Sequence, residues 1–401
     1  MISAELLTSN ISALREMLVK RGEDPSTADQ ALLAKESRNQ LQSEVETLRA
    51  KAKTDSATPE LARTNHQQLV DLKQRLIALE PKLALAEISY QEKISRLPNL
   101  LAPDVPTGKS EKDNRVLDQW GEIKLPTGRA HQELMTDLDW LDLETAAQTS
   151  GTRFRYLKGP AAIAHWRLFQ SALNLAISKG FTPVVPPVII KSDGLEAAGF
   201  FPRGQEDTFA LTDGRWLVGT SEPMLLALAQ GQTFSRDDLP LRYVAYSTCF
   251  RGEAGSYGKD TKGMFRVHQF DKVEMVSIST SDQSDQELQF LVSIQEEMIR
   301  SLQLPYQKVL LSSADQTPIA AKQIDLETWF PSQERYRETH SASNCWDYQS
   351  RELKIKVKDD LTPEFAHTLN ATVATERLLL AVIENNQLPN GRVEWPKILR
   401  P

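Results

Sequence analysis

Thr248-Cys249-Phe250-Arg251-Gly252-Glu253 is followed by glycines at 255, 258 and 263 and then by Phe265-Arg266-Val267-His268-Gln269-Phe270-Asp271-Lys272-Val273-Glu274. The apolar-rich flanks, 241–251 and 264–276, read as two strands, and the glycines between them as the loop of a long hairpin. Side chains alternate between the faces of a strand, so Arg251 and Glu253 are expected on one face. On the returning strand Arg266, His268, Phe270, Lys272 and Glu274 should share a face. Arginine presents fixed donors to phosphate or carboxylate oxygens. Glu253 can accept from an exocyclic amine, and Phe270 offers a flat ring to a base. A solvated hairpin with cross-strand ion pairs explains many charge patterns of this kind. The order Arg-x-Glu, glycine loop, Arg-x-x-x-Phe is more particular than that.

Outward from the hairpin, the segments 182–190, 215–222 and 352–357 also read as strands, and 161–179 as a helix. The strands cluster instead of alternating strictly with helices, which favours an antiparallel sheet in an α+β body. Thr220 and Glu222 would share a strand face, a hydroxyl and a carboxylate of the kind an α-ammonium needs. Asn370 and Thr372 likewise lie two apart, ahead of an apolar helix with Arg377 near its start. Glu338 and Ser341 offer oxygen donors suited to a hard cation. Each of these pairs taken singly is common.

The N-terminal quarter has a different pattern. From residue 26 to 97 there is no glycine, and Leu69, Leu72, Leu76, Leu79, Leu83, Ala86 and Tyr90 step by threes and fours. That is the 3.5-residue period of a coiled-coil seam. Thr54-Asp55-Ser56-Ala57-Thr58-Pro59-Glu60 supplies turn and cap residues, so the segment predicts a long antiparallel α-helical coiled-coil hairpin. A second helix over 59–97 would be on the order of 60 Å long. Pro81 lies within the best heptads and predicts a kink near 78–81. Prolines 98, 103 and 106 then mark a linker. Two domains are expected: 1–105, the helical arm, and 106–401, the sheet-containing body.

Composition sets the outer limits. The 401 residues carry 47 Lys and Arg against 54 Asp and Glu, a formal net charge of −7. Any nucleic acid must therefore be met by a local patch against a repulsive overall field. The arm is nearly neutral, with eleven basic and ten acidic residues over 26–100. On periodicity alone an oligomerisation rod or spacer fits it better than an RNA-binding arm does. No apolar run is long enough to span a membrane, and Met1-Ile2-Ser3-Ala4-Glu5 does not open like a secretory signal. With only Cys249 and Cys345 no disulfide framework is expected, so the expected location is the cytoplasm.

Residues 248–256 and 265–274 together resemble the second signature of class II aminoacyl-tRNA synthetases, in the wording of the seryl-tRNA synthetase family. Gly180-Phe181-Thr182-Pro183-Val184-Val185-Pro186-Pro187 resembles the first signature of that class, which builds a dimer interface. Tyr336-Arg337-Glu338 and Ser341-Ala342-Ser343-Asn344 resemble its metal-binding strand region. With the coiled-coil arm, the resemblance extends over essentially the whole chain. It implies a class II antiparallel catalytic sheet flanked by helices, ATP and L-serine as substrates, and Mg²⁺ held by Glu338 and Ser341. Thr220, Glu222 and Glu274 would hold the serine ammonium, and Asn370 and Thr372 would line the side-chain pocket. Arg251 would bridge the serine carboxylate and the α-phosphate. Glu253 would read the adenine amino group, Phe270 would stack on the ring, and Arg266 and Arg377 would meet the outer phosphates. The arm would reach the long variable arm of tRNA(Ser) in a homodimer, with tRNA(Sec) a further candidate, and its affinity should fall as salt rises.

The chain departs from the family pattern in three places. Glu376 precedes the third-signature arginine where a small residue is usual; facing outward it would change little, facing inward it would weaken ATP binding. His340 stands where serine is common. Pro81 bears on the reach of the arm. The altered third signature and the kinked arm are the only support for a second reading, a paralogue that activates an amino acid for another acceptor or binds tRNA without catalysis. A non-enzymatic coiled-coil scaffold would leave the hairpin chemistry unexplained. A zinc site using Cys249 or Cys345 is disfavoured, because Thr220 already supplies a hydroxyl at the ammonium position.

Overall fold

A computed structural model describes residues 1–254, 264–358 and 363–400. The chain divides into two compact units, Met1–Pro98 and Asn99–Pro401.

The first unit is helical. Two short helices, α1 (Leu6–Ser9) and α2 (Ile11–Lys20), were not evident from periodicity; the Asn10 side chain caps α2 by accepting from the Ala13 amide. They precede α3 (Ser26–Asp55), α4 (Pro59–Thr64) and α5 (His66–Ser95). Thr58 caps α4, and Pro59 occupies its first turn, where no amide donor is needed. α3 and α5 pair antiparallel. Arg49 meets Glu80 at 2.8 Å and Arg75 meets Glu44 at 3.2 Å, while the Arg38 guanidinium lies over the Tyr90 ring. These cross-hairpin pairs explain the near-neutral composition, and being exposed they add little to stability. The seam falls as its spacing predicts. Leu72 and Tyr90 are buried and the intervening seam residues half-buried, whereas Ile77 and Leu85 off the seam are more than 60% exposed. One expectation is corrected. The helix expected over 59–97 is divided at Asn65, leaving α5 with 30 residues, about 45 Å long. α5 continues through Pro81, which lies exposed within it.

The second unit is built on an eight-stranded sheet: β1 (Arg115–Trp120), β2 (Thr182–Val184), β3 (Leu241–Phe250), β4 (Gln269–Ser279), β5 (Tyr306–Leu310), β6 (Lys322–Phe330), β7 (Arg335–Asn344) and β8 (His367–Thr375). Their order is β1-β5-β6-β7-β8-β4-β3-β2, antiparallel throughout except for β2 beside β3. Several strand boundaries differ from the reading above. Only 182–184 of 182–190 joins this sheet; Pro186 and Pro187, lacking amide donors, interrupt it before Ile189–Ile190 pairs with Trp216–Leu217. The 215–222 strand ends at Leu217, and 352–357 keeps only Lys356–Val357.

Three helices cover one face of the sheet: α6 (Gly159–Ser178), α7 (Ser284–Ser301) and α8 (Glu376–Asn385). α6 buries Ala161, Ala164, Leu168, Ala172 and Ala176, a single stripe at helical spacing, and Gly180 beyond its end takes φ +91°. Val273 and Met275 of β4 and Leu369, Ala371 and Val373 of β8 point into this core. Strand alternation then sends Lys272, Glu274, Asn370 and Thr372 to the opposite face, the one the helices leave open.

Candidate active site

That open face floors a cavity of about 1330 Å³, and all twelve side chains singled out from the sequence line it: Thr220, Glu222, Arg251, Glu253, Arg266, Phe270, Glu274, Glu338, Ser341, Asn370, Thr372 and Arg377. They arrive from β4, β7 and β8, from the first turns of α8 and of a short helix over Glu222–Leu226, and from the loops that adjoin these elements and β3.

One end is cationic. Arg377 Nη1 reaches Glu338 Oε2 at 3.0 Å, and Arg266 Nη1 reaches Glu253 Oε2 at 2.8 Å. Arg251 donates to the Gly219 carbonyl at 3.3 Å, and its guanidinium lies 5.1 Å from the Phe270 ring centre. Desolvation pushes the Glu338 carboxyl upward, but Arg377, with Arg251 and Arg266 behind it, outweighs that and holds it below its ordinary value. Three guanidiniums far apart in sequence thus bear on one carboxylate. The loop that carries Glu253 is tightly threaded. Gly252 donates to the Asp207 carbonyl at 2.6 Å, and a Cβ at Gly252 would stand 3.3 Å from that oxygen.

Glu338 and Ser341 are three residues apart and in a regular strand would face opposite ways. The register of β6 against β7 shifts between Leu326 and Glu327, pairing Glu327 with Glu338 and Leu326 with His340. The extra residue, Thr339, turns both side chains to the cavity. Asp325, opposite Ser341, is pushed well above the usual carboxylate range by burial and then by the charge of Glu338; burial raises Glu327 as well. This surplus of hard oxygen donors around a hydroxyl fits a dication that keeps phosphate and water in most of its shell. Asp325 and Glu327 were missed in the sequence. The alternation Gln323, Ile324, Asp325, Leu326, Glu327 along β6 was the signal for them.

The other end is narrow and buried. Glu222 opens the short helix, so Thr220 and Glu222 sit at a helix start and not on the strand expected for them. Glu222 Oε1 accepts from Gln349 Nε2 at 2.7 Å and from Asn370 Nδ2 at 3.0 Å. Glu274 Oε2 accepts from Thr372 Oγ1 at 3.1 Å and pairs with Lys272 Nζ at 2.8 Å. Burial, then the charge of Glu274, pushes the Glu222 carboxyl up to about 7. Lys272 was read only as a member of a strand face; here it is 8% exposed at its side chain and holds Glu274 in place. The strand carbonyls of Ser341 and Thr372 both accept from buried Gln295 Nε2 of α7, at 2.8 Å each.

The shared face expected from Arg266 to Glu274 holds from Phe270 onward, because β4 begins only at Gln269. His268 turns away from the cavity and accepts or donates at the Arg251 carbonyl, 2.9 Å away. His340 is buried between Thr339 Oγ1 and the Val373 carbonyl, and burial pushes it down to about 4, so it packs as a neutral ring. Glu376 is buried and engaged by Arg155 and by the Asp271 amide. Both cysteines are buried and free. Among the described residues the one close group of three His, Cys, Asp or Glu donors is His165, Asp271 and Glu376, which contains no cysteine. Residues 255–263 of the hairpin loop, with Lys259 and Lys262, lie outside the described residues.

Comparison with known proteins agrees with this architecture. A sequence model of the seryl-tRNA synthetase N-terminal domain matches residues 1–101, and one of the class II tRNA synthetase core domain (G, H, P, S and T) matches 211–386. The serine–tRNA ligase of Psychrobacter sp. is 37% identical, aligned over all of this chain and 98% of its own length. That of Acidothermus cellulolyticus is 38% identical over 100% and 97%. Among solved structures, seryl-tRNA synthetase from Pyrococcus horikoshii complexed with ATP superposes with a TM-score of 0.89 at 32% identity, covering 100% of this chain and 97% of that one. The cytoplasmic serine–tRNA ligase of Naegleria fowleri in complex with AMP gives 0.83 at 27%, covering 97% and 93%.

Proposed function

The chain belongs to the seryl-tRNA synthetase family of class II aminoacyl-tRNA synthetases, and from that premise we propose how its cavity makes seryl-adenylate and charges tRNA(Ser). The carrying observation is the convergence of Arg251, Arg266 and Arg377 on one carboxylate beside Phe270, with a buried carboxylate pocket at the other end. Serine binds with its ammonium against Glu222, Thr220 and Glu274 and its side chain toward Asn370 and Thr372. Adenine stacks on Phe270 with its amino group at Glu253. Arg251 joins the serine carboxylate to the α-phosphate, and Arg266 and Arg377 exchange their present carboxylate partners for the outer phosphates.

The serine carboxylate then attacks the α-phosphorus, pyrophosphate leaves, and the terminal ribose hydroxyl of the tRNA later takes the acyl group. No protein nucleophile is needed. Holding the two anions in line and compensating the charge that develops on phosphate are sufficient. Mg²⁺ would be held by Glu338 and Ser341 and, when bound, supplies charge compensation on the outer phosphates. Serine-dependent exchange of pyrophosphate into ATP, followed by charging of tRNA(Ser), is the test. Absence of exchange overturns the reading, and exchange without charging transfers support to the paralogue. tRNA(Sec) is a second acceptor to assay.

A homodimer in the cytoplasm completes the proposal. Val185, 98% exposed within the segment that resembles the dimer signature, and Trp166, 67% exposed, offer apolar surface for a second copy. No helix among the described residues is long and apolar enough to cross a membrane. The near-neutral arm is proposed to read the tRNA by shape and backbone.

The buried pocket sets a pH dependence. Glu222 binds an ammonium as carboxylate, and in the free site it gains a proton below about 7. kcat/KM for serine in the exchange reaction is therefore expected to rise with pH, by nearly tenfold per unit on the acid side, and to level above about 7. The inflection is expected to vanish in Glu222→Gln. A profile flat from pH 5.5 to about 8 in the unsubstituted chain would contradict this assignment. Folding carries the opposite sign. A carboxyl raised from its ordinary value favours the folded state below that ordinary value, and the contribution is lost as pH rises through about 7.

A further inference from the structure

Phe270 is held from behind by one ion pair. On its N-terminal side, Arg155 Nη1 donates to the Gln269 carbonyl at 2.6 Å. On its C-terminal side, both carboxylate oxygens of Glu376 accept from the Asp271 amide, at 2.9 and 3.0 Å. Arg155 Nη2 and Glu376 Oε1 pair directly, and their side chains are only 9% and 5% exposed. The peptide units on either side of the ring are thus gripped by two side chains that also grip each other. The Asp271 carboxylate is fixed in turn by Thr248 Oγ1 at 2.7 Å and His165 Nε2 at 3.0 Å. A second hollow of about 210 Å³ is lined by Phe270 together with Phe154, Arg155, His165, Trp166 and Glu376 among others. His165, Asp271 and Glu376 have the donor types of a cation site, but the Arg155 guanidinium already supplies the positive charge there.

Glu376 is also the first residue of α8, and the second is Arg377. Its charge suits a helix N-terminus, so the same carboxylate ties the strand bearing the ring to the helix bearing the phosphate-side guanidinium. We propose that the Arg155–Glu376 pair is a positioning clamp for ATP, setting the spacing between the Phe270 ring and the Arg377 guanidinium. The proposal rests on the reading of those two residues as nucleotide contacts. It assigns a role to Arg155, which lies 115 residues before Phe270 in a stretch with no signature of its own, and to the acidic residue that departs from the family pattern. Stability is a weak reason for such a pair, since apolar replacements of buried ion pairs are often neutral.

That property supplies the test. In the double variant Arg155→Met/Glu376→Leu no buried charge is stranded, so the fold is expected to persist while both backbone grips are lost. In serine-dependent exchange, KM for ATP is expected to rise between about tenfold and about a hundredfold, the range for misplacing a binding group by up to an ångström. KM for serine should stay within about twofold. Glu376→Gln, which keeps a carbonyl oxygen for the Asp271 amide, should recover most of the loss. Should the double variant fail to fold, Arg155→Lys takes its place. One ammonium cannot span both acceptors in the guanidinium's fixed geometry, and a rise of about threefold or more in KM for ATP is expected. A lowered melting temperature with KM for ATP unchanged overturns the clamp. Phe270→Ala, assayed in parallel, separates the two levels. A raised KM for ATP in Phe270→Ala but not in the clamp variants sinks the clamp alone; no change in Phe270→Ala sinks the nucleotide reading itself.

Discussion

Arg251→Gln is expected to lower serine-dependent pyrophosphate exchange by about a thousandfold, or about 4 kcal/mol of transition-state stabilisation, the upper range for removing one preorganised donor. The three guanidiniums are not equivalent in the unliganded site. Arg266 is offset by Glu253 and Arg377 by Glu338, so each must trade one anion for another. Arg251 has no carboxylate partner among the described residues and donates only to the Gly219 carbonyl, at long distances of 3.3 and 3.4 Å. Its guanidinium bears on Glu338 only at longer range and is already aimed beside Phe270. In the proposed reaction it lies between the attacking carboxylate and the α-phosphate, where charge builds as the new bond forms. The loss should fall mainly on kcat, with a smaller change in KM for ATP. Arg251→Lys keeps the charge and loses the fork, so it should lie between the two. The residue is exposed in the cavity, and folding is expected to be unaffected. A decrease smaller than about tenfold in Arg251→Gln would remove Arg251 from the α-phosphate.

How much of this was legible in the chain depended on the range of the interactions involved. Local periodicity carried the arm well: the seam residues from Leu69 to Tyr90 are the protected ones, because a 3.5-residue repeat needs no distant partner. The hairpin of β3 and β4 was legible because both strands and their connection are contiguous. Its first two returning residues were not, since only pairing with the opposite strand decides that β4 begins at Gln269. The bulge at Thr339 shows the same limit more sharply. Nothing in Glu338-Thr339-His340-Ser341 announces that the first and last share a face; the register against β6 creates it. Asp325, Glu327 and Lys272 escaped for a different reason. Each resembles an ordinary strand residue until the fold places it beside Glu338 or Glu274. Glu376 stood out in the sequence, but its partner Arg155 did not, because the meaning of both lies in a contact between segments 221 residues apart.

The largest effect expected at the serine end needs no substitution. Alanine differs from serine by one hydroxyl, and a pocket lined only by apolar groups would separate the two by roughly a hundredfold. This pocket is of another kind. Thr372, Glu274, Lys272 and Asn370 are all at least nine-tenths buried, and Glu274 is drawn toward both Thr372 and Lys272 through one oxygen. A serine hydroxyl can donate to a carboxylate and accept from a neighbouring donor, replacing the water these groups give up when the amino acid enters. An alanine methyl expels that water and returns nothing, leaving buried polar groups short of partners. Discrimination in exchange, as kcat/KM for serine over alanine, is therefore expected near ten-thousandfold, about 5.5 kcal/mol. Thr372→Val, which exchanges hydroxyl for methyl at nearly constant shape, should lower kcat/KM for serine about a hundredfold and narrow the ratio toward the hundredfold of an apolar pocket. The two results constrain each other. A large ratio that survived Thr372→Val would place the hydroxyl at Glu274 and Lys272 alone. A ratio already near a hundredfold in the unsubstituted chain would mean that this buried polar network serves the ammonium and never meets the side chain.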